Sequence, residues 1–194
     1  MTDVRSICVY CGSAGRVDAR YRAAAERLGR MIGERGLRLV YGGGRVGLMG
    51  LCADAALAAG AEVVGIIPDH IQALEVEHTG LAELIVVDSM HTRKRAMFDR
   101  SDAFVVLPGG LGTLDETFEI LTWRQLALHD KPIVIVDEGG YWQPLEAMVD
   151  HMIDAGFCRE GHKKLYRLVP SVDAVFDALA MAPEPIVEPQ SKWL

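Results

Sequence analysis

Cysteine is scarce in this sequence, and no apolar run approaches the ~20 residues that span a bilayer. Four cysteines, Cys8, Cys11, Cys52 and Cys158, are scattered over 194 residues, too thinly for a disulfide scaffold. Positive charge is also short: 20 Lys and Arg face 27 Asp and Glu, a net −7. That sign argues against a general nucleic-acid or anionic-membrane binder. Residues Met1 to Arg5 lack the basic segment and apolar core of a secretory signal. Repeats, low-complexity tracts and linkers are missing too. These absences predict a cytoplasmic globular chain with no nucleic-acid or membrane partner.

One domain is expected at this length. It is placed at residues 1–182, with residues 183–194, which hold Pro183, Pro185 and Pro189, as a loose tail. The pair Cys8-Val9-Tyr10-Cys11 has zinc or redox spacing, but a zinc site wants a second ligand pair. Cys8 also sits in an apolar strand pattern, where buried thiols are common. The buried-thiol reading is preferred, and neither metal nor organic cofactor is expected.

Strands alternate with helices along the chain. Apolar runs at Ser6–Tyr10, Leu37–Tyr41, Val63–Ile67, Leu84–Val87, Ala103–Leu107 and Ile133–Val136, with a last one near Leu168, read as strands. Helical spacing marks Asp18–Arg35, Leu48–Ala59, Met90–Arg100, Thr113–Leu128, Trp142–Ala155 and Ser171–Leu179. Several strands are aliphatic on both faces, as in parallel sheets covered on each side. The expected fold is therefore an α/β Rossmann-like three-layer sandwich with a mostly parallel sheet between helices. Ligands bind such sheets beyond the carboxyl ends of the strands, so the loops there matter most.

Two of those loops are glycine-rich. In Tyr41-Gly42-Gly43-Gly44-Arg45-Val46-Gly47, Gly42, Gly44 and Gly47 fit the dinucleotide pattern. The acid which that pattern wants near the end of the next strand is matched only by Asp69, beyond Pro68, so a dehydrogenase is disfavoured. The second loop is Pro108-Gly109-Gly110-Leu111-Gly112-Thr113-Leu114-Asp115-Glu116. Glycines let successive N–H groups turn inward, and the next helix adds its positive dipole end. A phosphate fits there, with the Thr113 hydroxyl as an extra donor, yet no Gly-Lys-Ser/Thr makes this a nucleoside-triphosphate loop. Thr113-x-x-Glu116 also reads as a capping box, in which the glutamate merely caps its own helix, and Asp115 complements the same terminus.

From His91 to Arg100 the sequence carries Arg93, Lys94, Arg95 and Arg100 against Asp99, a local +3. A solvated charged face is one explanation. The other is that its N-terminal end reaches the crevice, where Arg93 would meet a phosphate or carboxyl.

Met90-His91-x-Arg93-Lys94 followed by Pro108-Gly109-Gly110-x-Gly112-Thr113-x-x-Glu116 closely resembles the LOG (lonely guy) family. Those proteins are cytokinin riboside 5′-monophosphate phosphoribohydrolases, and many relatives carry the label of possible lysine decarboxylases. The likeness runs from Ile7-Cys8-Val9-Tyr10-Cys11-Gly12-Ser13 to about Leu179. It implies that Arg93 and Glu116 are catalytic. It also implies nucleotide contacts at Glu75, Lys94, the Gly110 to Thr113 stretch and Thr122, which with Gly109, Arg93 and Glu116 complete the expected site. Asp115 and Leu111 stand where a glutamate and a tyrosine are common in the family. Homodimers are implied as well, helped by Trp123, Leu126 and Leu128 on the long helix.

The expectation is hydrolysis of the N-glycosidic bond of a purine nucleoside 5′-monophosphate, AMP or an N6-modified, cytokinin-type relative, to free base and ribose 5-phosphate. The rival is a non-catalytic nucleotide or molybdenum-cofactor carrier on a related fold. A pyridoxal-phosphate decarboxylase would need a Schiff-base lysine, and none of the five lysines sits in a loop with an obvious pyridine-nitrogen acid.

Overall fold

The computed structural model describes residues 4–72, 78 and 80–181. Seven strands form one sheet: β1 (Ser6–Tyr10), β2 (Arg38–Tyr41), β3 (Val63–Pro68), β4 (Glu83–Val87), β5 (Ala103–Val106), β6 (Ile133–Val136) and β7 (Arg167–Val169). All neighbouring pairs are parallel, in the order β4-β3-β2-β1-β5-β6-β7. The α/β sandwich expected from the aliphatic runs is what the chain adopts.

The helices are α1 (Ala19–Glu34), α2 (Gly47–Ala58), α3 (Asp69–Gln72), α4 (Met90–Asp99), α5 (Leu111–Gln125), α6 (Gln143–Asp154) and α7 (Val175–Ala180). Strand side chains alternate between two cores, which is why both faces of the central strands are apolar. Ile7, Val9, Val105 and Val134 enter one core with residues of α1, α2 and α7. Cys8, Tyr10, Phe104 and Ile135 enter the other with residues of α4, α5 and α6. On the first face α1 and α2 pack unusually close. A Cβ at Gly29 would overlap the Cys52 carbonyl, and one at Gly33 would meet Ala56 and Ala59, so the small residues of both helices set their separation.

Three local features depart from the sequence expectation. The last helix is broken: residues Val172–Ala174 form a 3₁₀ turn that feeds α7, the tightened geometry common at helix ends. The single turn α3 and a 3₁₀ segment at Glu160–Leu165 are too short to leave a periodic signature. Helix α5 begins at Leu111 with Gly110 as its N-cap, two residues earlier than expected. The proposed tail at residues 183–194 lies outside the described residues.

The chain runs outward from β1 through β2 and β3 to β4, then returns to place β5 on the other side of β1. The loops after β1 and β5 therefore diverge in opposite directions, leaving a crevice at this topological switch point.

Candidate active site

A cleft of about 270 Å³ opens at the switch point, lined by Cys11, Gly12, Ser13, Gly42, Met49, Ile71, Met90, Arg93, Gly110, Leu111, Gly112, Thr113 and Glu116. Each part has a local cause. Ser89 caps α4, its hydroxyl accepting from the Thr92 N–H at 3.1 Å. That fixes the helix phase so that Arg93, one turn in, turns toward the end of β3. Its Nε donates to the Ile66 carbonyl at 3.0 Å and its Nη2 to the Gly42 carbonyl at 3.4 Å.

Gly42 is present for room. A Cβ there would overlap Nη2 of Arg93. Gly43 and Gly47 adopt φ of +77° and +71°, which favours glycine, and a Cβ at Gly47 would run into the Ser13 carbonyl. The first glycine loop thus serves close packing and the seating of a guanidinium.

Across the cleft, Glu116 comes from the second turn of α5. The capping-box expectation fails here. With Gly110 as N-cap, Thr113 is the third helical residue and Glu116 the sixth, beyond reach of the helix's own free N–H groups. Its Oε1 instead faces Arg93 Nη1 at 3.3 Å, and both side chains are about nine-tenths buried. Burial raises the Glu116 carboxyl from its ordinary 4.5 to about 7; Arg93 opposes the rise, and Asp115 adds to it. A carboxyl that changes charge near neutrality in a cleft is the property a proton-handling or cation-stabilising group requires.

The loop before α5 presents its backbone to the cleft. The first N–H groups of a helix have no intrahelical acceptor, and Gly110 as N-cap has no side chain to supply one. A Cβ at Gly110 or Gly112 would meet nothing within 4 Å, whereas one at Gly109 would overlap Thr113 Oγ1. The backbone of Gly110 and Gly112 is therefore open to a ligand, while Gly109 packs inward.

The remaining expected residues separate. Leu111 stands 86% exposed at the rim. Lys94 is not in the cleft lining: its Nζ contacts Asp115 Oδ2 at 3.0 Å and Glu119 Oε1 at 3.2 Å, fastening α4 to α5. Asp115, expected to complement the helix terminus, serves as its partner. Thr122 lies six residues beyond Glu116, about 9 Å along the helix, exposed and bonded to its own turn through the Phe118 carbonyl. It lies outside the cleft of this chain. Glu75 falls outside the described residues. The basic segment is a solvated face only in part: Arg95 pairs with Asp99 on the surface, while Arg93 and Lys94 are engaged inside.

Cys11, Gly12, Ser13, Met49, Ile71 and Met90 were not among the expected site residues. The position of Cys11-Gly12-Ser13 after β1 was the available signal, since a switch point needs both flanking loops. The methionines and Ile71 carry no chemical mark in the sequence. Cys8 and Cys11 are buried, and burial raises both thiols, which keeps them protonated and poor metal ligands. Among the described residues no lysine lines the cleft, and no helix is long and apolar enough to cross a membrane.

Residues 49–179 match the family described as "possible lysine decarboxylase". The chain is 48% identical over 154 residues to a cytokinin riboside 5′-monophosphate phosphoribohydrolase of Rhodococcoides fascians, covering 79% of this chain and 78% of that one. It is 42% identical over 167 residues to a protein of that name from Oryza sativa subsp. japonica (86% and 69% covered). It is 38% identical over 175 residues to one from Arabidopsis thaliana (90% and 82%). Among solved structures, the molybdenum cofactor binding protein of Rippkaea orientalis superimposes with a TM-score of 0.68 at 20% identity, covering 91% of this chain and 96% of that one. The Moco carrier protein of Chlamydomonas reinhardtii gives 0.66 at 24% (90% and 97%). At these identities the structural likeness speaks for the fold alone.

Proposed function

The chain belongs to the family described as possible lysine decarboxylase, and we propose that within it this protein is a phosphoribohydrolase, cleaving the N-glycosidic bond of purine nucleoside 5′-monophosphates to free base and ribose 5-phosphate. Its relatives' names support the reaction type. The observation that carries the reading is the buried Arg93–Glu116 pair beside an open helix N-terminus.

The 5′-phosphate is assigned to the N–H groups of Gly110 to Thr113, where orphan donors and the helix dipole favour an anion. This anchors the ribose over Glu116. Glycosidic cleavage passes through an oxocarbenium-like sugar. The Glu116 carboxylate stabilises that positive charge and orients the attacking water, while Arg93 holds the carboxylate in place. The base is assigned to the apolar lining supplied by Met49, Met90 and Ile71, side chains suited to a purine and to an N6 substituent. Phosphate binding contributes to rate as well as affinity, because it positions the reacting carbon.

A decarboxylase reading has no support in the cleft: Lys94 is held by Asp115 and Glu119, and Lys131 donates to the Phe98 carbonyl at 2.7 Å. A carrier of nucleotide or molybdenum cofactor is the alternative class; the buried Arg93–Glu116 pair facing the cleft favours the hydrolase. Incubation with AMP and with isopentenyladenosine monophosphate, followed by chromatography, separates the two. Free base and ribose 5-phosphate are expected. Nucleotide recovered intact would overturn the hydrolase.

A further inference from the structure

Tyr141 lies outside the cleft, yet its hydroxyl donates to the Gly109 carbonyl at 2.6 Å, across 32 residues of sequence. The loop that delivers it is built for the purpose. Asp137, at the end of β6, accepts from the Trp142 N–H and from the Gln143 amide, both at 2.6 Å. Gly139 and Gly140 turn the chain with φ of +63° and +79°, a conformation side chains disfavour. The Tyr141 ring is wedged edge-on against Tyr21 and Trp142, with centroids 5.4 and 4.8 Å away. The hydroxyl therefore arrives at Gly109 on a rigid support.

Its target is the peptide where orientation matters. Peptide bonds are planar, and in a trans peptide the carbonyl and the following N–H point in opposite directions; the described residues include no cis bond. Holding the Gly109 carbonyl on the Tyr141 side turns the Gly110 N–H the other way, and Gly110, unlike Gly109 and Tyr141, lines the cleft. Two adjoining glycines have the freedom to flip this peptide, and the flipped form would aim a carbonyl oxygen at the ligand. We propose that Tyr141 is a positioning residue, whose hydroxyl locks the Gly109–Gly110 peptide in the anion-accepting orientation and so sets the preference for phosphorylated over unphosphorylated nucleosides. The proposal rests on the reading of the Gly110–Thr113 loop as a phosphate site.

The test is Tyr141→Phe, which keeps both ring contacts and removes only the oxygen. One hydrogen bond of ordinary net strength corresponds to roughly a 3- to 10-fold effect. Titration with inorganic phosphate, followed through the backbone amide resonances of Gly110 and Gly112, should show that much weaker binding in the variant. kcat/KM for AMP should fall by a similar factor, with that for adenosine unchanged, so the ratio of the two contracts. Equal loss on both substrates would reduce Tyr141 to a structural contact and overturn the proposal. So would identical phosphate affinities in variant and wild type. Wild-type amides that ignore phosphate would remove the phosphate site itself, and the proposal with it.

Discussion

Glu116 is the side chain on which the proposed chemistry turns. Burial lifts the pKa of its carboxyl to about 7, and in the proposed mechanism the carboxylate is the form that stabilises a cationic sugar, so kcat should rise as pH increases through about 7. Glu116→Gln should fold, lose that inflection and turn over more slowly by a factor on the order of 10² or more; near-normal turnover would remove Glu116 from catalysis. Stability moves the other way. A carboxyl whose pKa is raised on folding holds its proton more tightly in the native state, so its contribution is complete below about pH 4.5 and is lost as pH climbs toward 7. The gap between 4.5 and about 7 amounts to ~3 kcal/mol at 1.36 kcal/mol per pH unit. The difference in Tm between Glu116→Gln and wild type should therefore shift in the variant's favour from pH 4.5 to pH 8, and calorimetry at the two values checks the sign. Gly42 makes a complementary case. Gly42→Ala puts a methyl group where Arg93 Nη2 lies, so it should reduce turnover at least ~10-fold, as Arg93→Ala should, without touching a charged residue. If either change raises only KM, Arg93 is a uniform binding residue.

Helix α5 is the element on which the site depends. Its start at Gly110–Leu111 leaves the N–H groups of the first turn facing the cleft, and its second turn brings Glu116 opposite Arg93. The Lys94 bridge to Asp115 and Glu119 ties α4 to α5, so the arginine and the glutamate ride on two helices clamped beside the cleft. With the 5′-phosphate bound as proposed, an unphosphorylated substrate would forfeit one or two charge-assisted hydrogen bonds at about 1.5–3 kcal/mol each. Adenosine should consequently lag AMP by roughly 10- to 10⁴-fold in kcat/KM. ATP should also be poor, since no P-loop lysine follows the glycines. Adenosine, AMP and ATP compared in one buffer decide this, and equal rates for adenosine and AMP would leave the loop a simple tight turn.

The sheet's reversal of direction between β1 and β5 opens the cleft, and apolar side chains stay exposed outside it. Trp123 packs edge-on against Phe98 at the margin of the core, centroids 5.0 Å apart, and is only partly buried. Leu126 and Leu128 lie beyond the last turn of α5 and stay 42% and 66% exposed. Together with the family likeness they support a homodimer. With a chain mass of 21.2 kDa, light scattering should give about 42 kDa. A mass near 21 kDa at micromolar concentration would contradict it.

Some of this was legible in one dimension because its causes are local. The aliphatic runs Val63–Ile67 and Ile133–Val136 require cover on both faces, and that dictates a parallel sheet wrapped by helices. Glycines at strand ends marked the ligand side, and the spacing of Arg93 and Glu116 carried the family resemblance. Tertiary structure decided the rest. Neighbouring residues on a helix point about 100° apart, so only packing could direct Arg93 to the cleft and Lys94 to α5. The N-cap of α5 fell on Gly110, not Thr113, because the loop is held by contacts distant in sequence: Gly12 N–H to the Pro108 carbonyl at 3.1 Å and Tyr141 to Gly109. That three-residue shift of the N-cap turns Glu116 from a helix cap into the buried partner of an arginine. The raised pKa of Glu116 likewise follows from removal of water by side chains far apart along the chain, a property no local stretch of sequence contains.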